Sequence, residues 1–135
     1  MKTVMVFGSF DVLHPGHLYF LKKAKKFGDQ LIVVVALDRT IEKIKQQKPK
    51  YSEKERIEHV RDLNFVDKAV LGYEVDPYKI IEEINPDVIC LGYDQDSYTD
   101  NLKEELNRRG MNPKIIRISP YKEETYKSSK LKELS

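Results

Sequence analysis

Apolar residues recur every three positions at Leu18, Leu21, Ala24 and Phe27, while Lys22, Lys23, Lys25 and Lys26 fall on the other side of the same stretch. This spacing predicts an amphipathic helix, closed by Gly28 where a left-handed terminus favours glycine. Runs of another kind flank it. Thr3 to Phe7 is short, apolar and β-branched, and Leu31 to Ala36 is continuously apolar, the pattern of strands buried on both faces of a parallel sheet. Strand, helix and strand form a βαβ unit, whose crossover is right-handed in nearly all cases.

The alternation continues along the chain. Ser52 and Glu55 have the spacing of a capping box, and Ile57, Val60 and Leu63 supply the stripe of the helix that follows. Ala69 to Leu71 predicts a short strand. Asp76 and Pro77 read as N-cap and first residue of a helix carrying Ile80, Ile81 and Ile84, which stops before Pro86. Val88 to Leu91 predicts another buried strand, Leu102 and Leu106 a helix ending at Gly110, and Ile115 to Ile118 a last strand. A short C-terminal helix is expected from about Ser128. Five strands alternating with helices imply an α/β fold, a single-domain, doubly wound, Rossmann-like parallel sheet with helices on both faces. In such sheets ligands bind beyond the carboxyl ends of the strands, near the point where strand order reverses. The segments after Phe7, Ala36 and Leu91 are therefore the ones to search.

Composition narrows the setting. The 135 residues suit one domain spanning 1–135, and with 40% apolar residues the chain can fill a core. No apolar run approaches the roughly 18 residues of a membrane helix. Lys and Arg number 24 against 22 Asp and Glu, which gives no sequence-wide reason to expect nucleic acid as a partner; an anion site must be local. Cys90 is the single cysteine and cannot form an intramolecular disulfide, and MKTVMVFG lacks the long apolar region of a secretory signal. A reducing cytoplasm is the expected location.

The segment from Gly8 to His17, Gly-Ser-Phe-Asp-Val-Leu-His-Pro-Gly-His, follows the first strand and enters the first helix. Gly8 would let backbone approach a ligand, Gly16 would leave space at the helix start, and the N–H groups of that first turn favour phosphate. His14 and His17, three residues apart, can both turn toward such an anion and donate hydrogen bonds to phosphoryl oxygens. Two other readings compete: a zinc pair completed by His59 or a carboxylate, and histidines that serve only as hydrogen-bonding groups of the helix terminus. The segment is neither a Walker A loop nor a three-glycine dinucleotide fingerprint.

Gly8-Ser9-Phe10-Asp11 followed by His14-Pro15-Gly16-His17 resembles the H-x-G-H superfamily of nucleotidyltransferases, and the short chain is similar to its glycerol-3-phosphate cytidylyltransferase type. Lys48-Pro49 before Ser52 to Arg56, then Leu91-Gly92-Tyr93-Asp94 and Ser128-Ser129-Lys130, follow in the family's order. The resemblance implies transfer of a nucleoside monophosphate from CTP or ATP to a small phosphorylated acceptor, with release of pyrophosphate. It implies Mg²⁺ carried mainly by the triphosphate, with no direct protein ligand, and a homodimer by analogy. By the same resemblance His14 and His17 contact the triphosphate, Lys48 neutralises phosphate charge, and Gly8, Ser9, Phe10 and Gly16 shape the nucleotide's bed. Gly92 and Asp94 would meet base or ribose, and Ser128 and Ser129 the β- and γ-phosphates. Asp11 would orient the acceptor or a hydrated Mg²⁺, and Lys45 would assist Lys48. Arg56 either matches a family position or pairs with a neighbouring acid, and Asp38 either contacts substrate or caps a helix.

The chain also departs from that type. Where such cytidylyltransferases carry Arg-Thr-x-Gly-Ile-Ser-Thr-Thr, it reads Lys122-Glu123-Glu124-Thr125-Tyr126-Lys127-Ser128-Ser129, with Lys122 standing in for the arginine; the two differ in donor geometry. Tyr93-Asp94-Gln95 and the stretch from Tyr121-Lys122 to Ser128-Ser129-Lys130 are similar instead to archaeal-type FAD synthase, which moves AMP from ATP to FMN, although the paired C-terminal cysteines usual there are absent. The leading expectation is a cytidylyltransferase acting on a small phosphorylated alcohol. The alternatives are FMN adenylylation and a nucleotide-binding protein without turnover.

Overall fold

The computed structural model describes residues 1–92 and 101–119; the expectations for Tyr93, Asp94, Lys122, Ser128, Ser129 and the C-terminal helix lie outside them. In chain order the elements are β1 (Thr3–Gly8), α1 (Pro15–Lys25), β2 (Gln30–Val35), α2 (Asp38–Lys45), α3 (Glu53–Arg61), β3 (Lys68–Leu71), α4 (Lys79–Ile84), β4 (Val88–Gly92), α5 (Leu102–Arg108) and β5 (Lys114–Ile118). The strands pair in parallel in the order β3-β2-β1-β4-β5. Every expected strand is present to within one residue of its expected bounds.

The sheet's two faces explain its sequence. Val4, Val6, Val33 and Val35 face Leu21 and Ala24 of α1 and Ile57 and Val60 of α3. Met5, Phe7, Val34 and Ile89 face Ile80 and Ile81 of α4 and Leu102 and Leu106 of α5. A strand covered on both sides has no solvent face to keep polar, so β1 and β2 read as unbroken apolar runs. Among the described residues no helix is long and apolar enough to cross a membrane.

Three local expectations need correction. Gly28 has no left-handed backbone; α1 is capped at Lys26, and a Cβ on Gly28 would lie 2.6 Å from Val4 Cγ2 and 2.8 Å from the Lys2 carbonyl oxygen. The glycine is needed for close approach rather than for turn geometry. Helix α4 starts at Lys79, not at Pro77: Asp76 accepts the Tyr78 N–H at 3.1 Å in a preceding turn, while its carboxylate pairs with Arg109 at 3.2 Å. Helix α2 was not expected, because Lys and Gln dominate its end and the stretch beyond it and Ile41 is its one buried residue.

At the opposite edge of the sheet from the strands' carboxyl ends, Asp67 binds together the starts of β2 and β3. Its Oδ2 accepts the Leu31 N–H at 2.7 Å and a hydrogen bond from Lys25 Nζ, while its own N–H donates to Leu31 O at 3.0 Å. The Lys25 ammonium and the Leu31 N–H hold the Asp67 carboxyl below its ordinary value of 3.8. A carboxylate with a lowered folded pKa adds stability that is present above its unfolded value and is lost as pH falls through the folded one. Asp67→Asn should therefore cost about 1 kcal/mol near neutrality, a modest figure because the side chain is more than a third exposed. Urea titrations should show that deficit shrinking below the ordinary carboxylate range; an unchanged deficit in acid would contradict the charge assignment.

Candidate active site

The strand order reverses at β1, which lies between β2 and β4. Val6 pairs with Cys90, so the same register sets Gly8 and Gly92 level at the carboxyl ends of the two neighbouring strands. This is the crevice where open parallel sheets take ligands. Residues 9–14 cross its mouth and lead into α1.

The entry to α1 is built by the two histidines. His14 is the N-cap: its Nδ1 accepts the Gly16 N–H at 3.0 Å, and His17 Nδ1 reaches back to the His14 N–H at 3.4 Å, closing a capping box. The rings stack with centroids 3.9 Å apart. A nitrogen that accepts an N–H carries its lone pair there, so in both neutral rings the proton sits on Nε2. The capping role and the donor role thus fall to different atoms of one ring. Gly16 is required by this arrangement, since a Cβ would lie 2.8 Å from His14 Cε1. First-turn amides contribute less to an anion site than the sequence implies: Pro15 has no N–H, and that of Gly16 is directed to His14. The capping bonds leave the Nε2 side of the His14 ring turned away from the helix backbone.

Phe10 supports His17 from below. It is buried, adopts φ 50°, and meets the His17 ring edge-on at 5.6 Å. A positive φ is unusual for a bulky residue and persists only where the surroundings impose it. Gly8 makes this possible, because a Cβ there would lie 2.7 Å from the Phe10 ring. The glycine accommodates an aromatic side chain of the loop itself.

Arg56, fully buried on α3, joins three segments. Its Nε donates to Tyr51 O at 3.0 Å, one terminal nitrogen to Ser9 O at 2.8 Å, and the other to Asp38 Oδ1 at 2.7 Å. Of the two alternatives for Arg56, the structure favours pairing with an acid, and that acid is Asp38 in the first turn of α2. Asp11 is likewise engaged with protein: Oδ2 accepts the Lys50 N–H at 2.7 Å and Oδ1 the Tyr51 N–H at 2.8 Å. Lys45 lies close enough to act electrostatically on Asp11, and Lys48 is exposed on the segment between α2 and α3. His59 sits on α3 with its ring against Tyr51, and among the described residues no three His, Cys, Asp or Glu side chains gather as a metal site. Glu53 was missed from sequence; its Oε1 accepts the Asp38 N–H at 2.8 Å. Nothing local marks that contact, since it bridges the ends of two helices.

Replacing Arg56 by Met should destabilise the protein by about 3 kcal/mol in a denaturant titration, because the Ser9 and Tyr51 carbonyls and the Asp38 carboxylate lose their donor together. Arg56→Lys should restore only part, since one ammonium cannot span three acceptors. A loss under about 1 kcal/mol for the Met variant would contradict this role.

The chain is similar to known proteins over most of its length. The cytidylyltransferase-like family model matches residues 5–134. FAD synthase of Aciduliprofundum boonei is 47% identical over 121 residues, covering 90% of this chain and 80% of that protein. FAD synthase of Archaeoglobus profundus is 46% identical over 129 residues, covering 96% and 82%. The crystal structure of a lipopolysaccharide core biosynthesis protein from Thermoplasma volcanium superposes with a TM-score of 0.85 at 44% identity, covering 90% of this chain and 98% of that one. With a family match over nearly its whole length, a doubly wound sheet and the paired histidines at the switch point, the chain belongs to the cytidylyltransferase-like family and is a nucleotidyltransferase.

Proposed function

We propose that the protein is an FMN adenylyltransferase, joining AMP from ATP to FMN to give FAD and pyrophosphate. The observation that carries this reading is the 46–47% identity to FAD synthases across about nine-tenths of the chain. It favours the ATP and FMN alternative over the expected CTP and glycerol 3-phosphate.

The chemistry asks little of a base. An FMN phosphate oxygen, ionised at neutral pH, attacks the α-phosphorus of ATP in line; the bond from that phosphorus to the bridging oxygen breaks, and pyrophosphate leaves with the electron pair. His14 and His17 offer two stacked imidazoles whose Nε2–H donors meet the growing phosphoryl charge. Gly8, Ser9, Phe10 and Gly16 shape the bed beneath them. Lys48, with Lys45 behind it, brings positive charge to the phosphates. Gly92 serves the nucleoside end from the neighbouring strand, a role shared with Asp94, and Ser128 and Ser129 serve the outer phosphates. Mg²⁺ enters as part of the nucleotide substrate: the Asp11 and Asp38 carboxylates already hold N–H and guanidinium donors, and Mg²⁺ is commonly bound through phosphates and water.

Incubation with ATP, Mg²⁺ and FMN should release pyrophosphate and form FAD, whereas CTP with glycerol 3-phosphate should not react. Turnover confined to CTP would overturn the assignment, and nucleotide binding without any turnover would leave only a binding protein. His14→Asn separates cap from chemistry, because asparagine is a good N-cap but has no donor in the place of Nε2. The rate should fall on the order of 10²- to 10³-fold with thermal stability nearly unchanged. An active His14→Asn enzyme would exclude the imidazole from the reaction.

A further inference from the structure

Residues 9–14, which carry the cap of the first helix, and residues 46–51, which carry Lys48, belong to loops far apart in sequence. They are fastened to each other twice. Arg56 holds the Ser9 and Tyr51 carbonyls on one guanidinium, at 2.8 and 3.0 Å. Asp11 grips the consecutive N–H groups of Lys50 and Tyr51 with its two separate oxygens, at 2.7 and 2.8 Å. The other end of the second loop is set by the close of α2, where Gln46 adopts φ 58°. Lys48 therefore stands on a short span anchored at both ends.

We propose that Asp11 is a positioning residue: its carboxylate latches the 46–51 loop onto the nucleotide loop and so fixes where Lys48 meets the triphosphate. This departs from the role of orienting the acceptor or a hydrated Mg²⁺, and it rests on the adenylyltransferase reading for the part Lys48 plays. The geometry requires a carboxylate. Two adjacent backbone donors approach two different oxygens, so an amide in its place would turn one NH₂ group toward an N–H. Burial alone would raise the Asp11 pKa, but the Lys50 and Tyr51 N–H groups, with Arg56 and Lys45 beyond them, hold it below the ordinary carboxylate value. The latch is thus charged at all but strongly acidic pH.

Asp11→Asn is the discriminating variant, since it keeps size and leaves Arg56 in place. Amide exchange followed by NMR should accelerate about tenfold or more at Lys50 and Tyr51, with core strands unchanged. In steady-state assays with ATP and FMN, Asp11→Asn should lower kcat/KM by about 10- to 100-fold, the scale of a misplaced catalytic group. Adding it to Lys48→Ala should change almost nothing, because a latch has no effect once its cargo is gone. Unchanged exchange at Lys50 and Tyr51 overturns the latch. An equal loss in the presence and absence of Lys48 also overturns it, since Asp11 would then act on substrate directly. A wild-type protein that forms no FAD removes the adenylyltransferase reading, and the exchange measurement still decides whether the latch exists.

Discussion

A single buried guanidinium holds together the part of the molecule where chemistry is concentrated. Removing Arg from water is costly unless its charge is paired and hydrogen-bonded, and each of the three nitrogens of Arg56 donates to one acceptor, two carbonyls and one carboxylate drawn from the loop after β1, the entry to α3 and the first turn of α2. One of those segments follows β1 and the other two follow β2, at the start and beyond the end of α2. The planar fork of arginine fixes both distance and angle among them, which an ammonium cannot do. The sheet supplies a level platform, and Arg56 locks onto it the loops that the platform leaves undetermined.

The histidine pair depends on that stiffness in a second way. His14 occupies the N-cap position usually taken by serine, threonine, asparagine or aspartate, and His17 the third helical position where a capping box usually has glutamate or glutamine. An imidazole can replace a short polar cap only if its ring lies flat over the first turn, and Gly16 supplies the room. The result is a ring with one nitrogen bound to backbone and its orientation fixed by the start of the helix; in the proposed reaction that is a donor oriented in advance. Phe10, with its positive φ and its ring beneath His17, violates a local rule for the same end. Such departures from local preference concentrate at functional sites, where surrounding contacts overrule them.

This division also governs how much could be read from the sequence. Buried strands announce themselves, because covering both faces forces continuous apolar runs, and the capping box at Ser52 and Glu55 is a contact between near neighbours. Helix α2 escaped notice because a single buried contact, Ile41, holds its apolar side among many lysines. Gly28 stood out as a helix terminus, yet its backbone is not left-handed; the close neighbours that require glycine there and at Gly8, Val4 and Phe10, become visible only when the chain is folded. The backbone partners of Asp11 could not be foreseen, since the Lys50 and Tyr51 N–H groups lie about forty residues away and leave no trace in residue identity.

The same reasoning explains why the reaction class was easier to read than the substrate. In the proposed transfer both reacting phosphates bring their own charge, so the site needs donors and placement but no base adapted to a particular acceptor. His14, His17 and Gly16 meet that need through contacts within four residues of each other, compact enough to show as a motif. Choice of base and acceptor is a matter of pocket shape, assembled from separate strand ends and loops whose spacing carries no signature. Identity to FAD synthases bears on the latter because it samples the whole chain, whereas the histidine motif samples only the phosphate end.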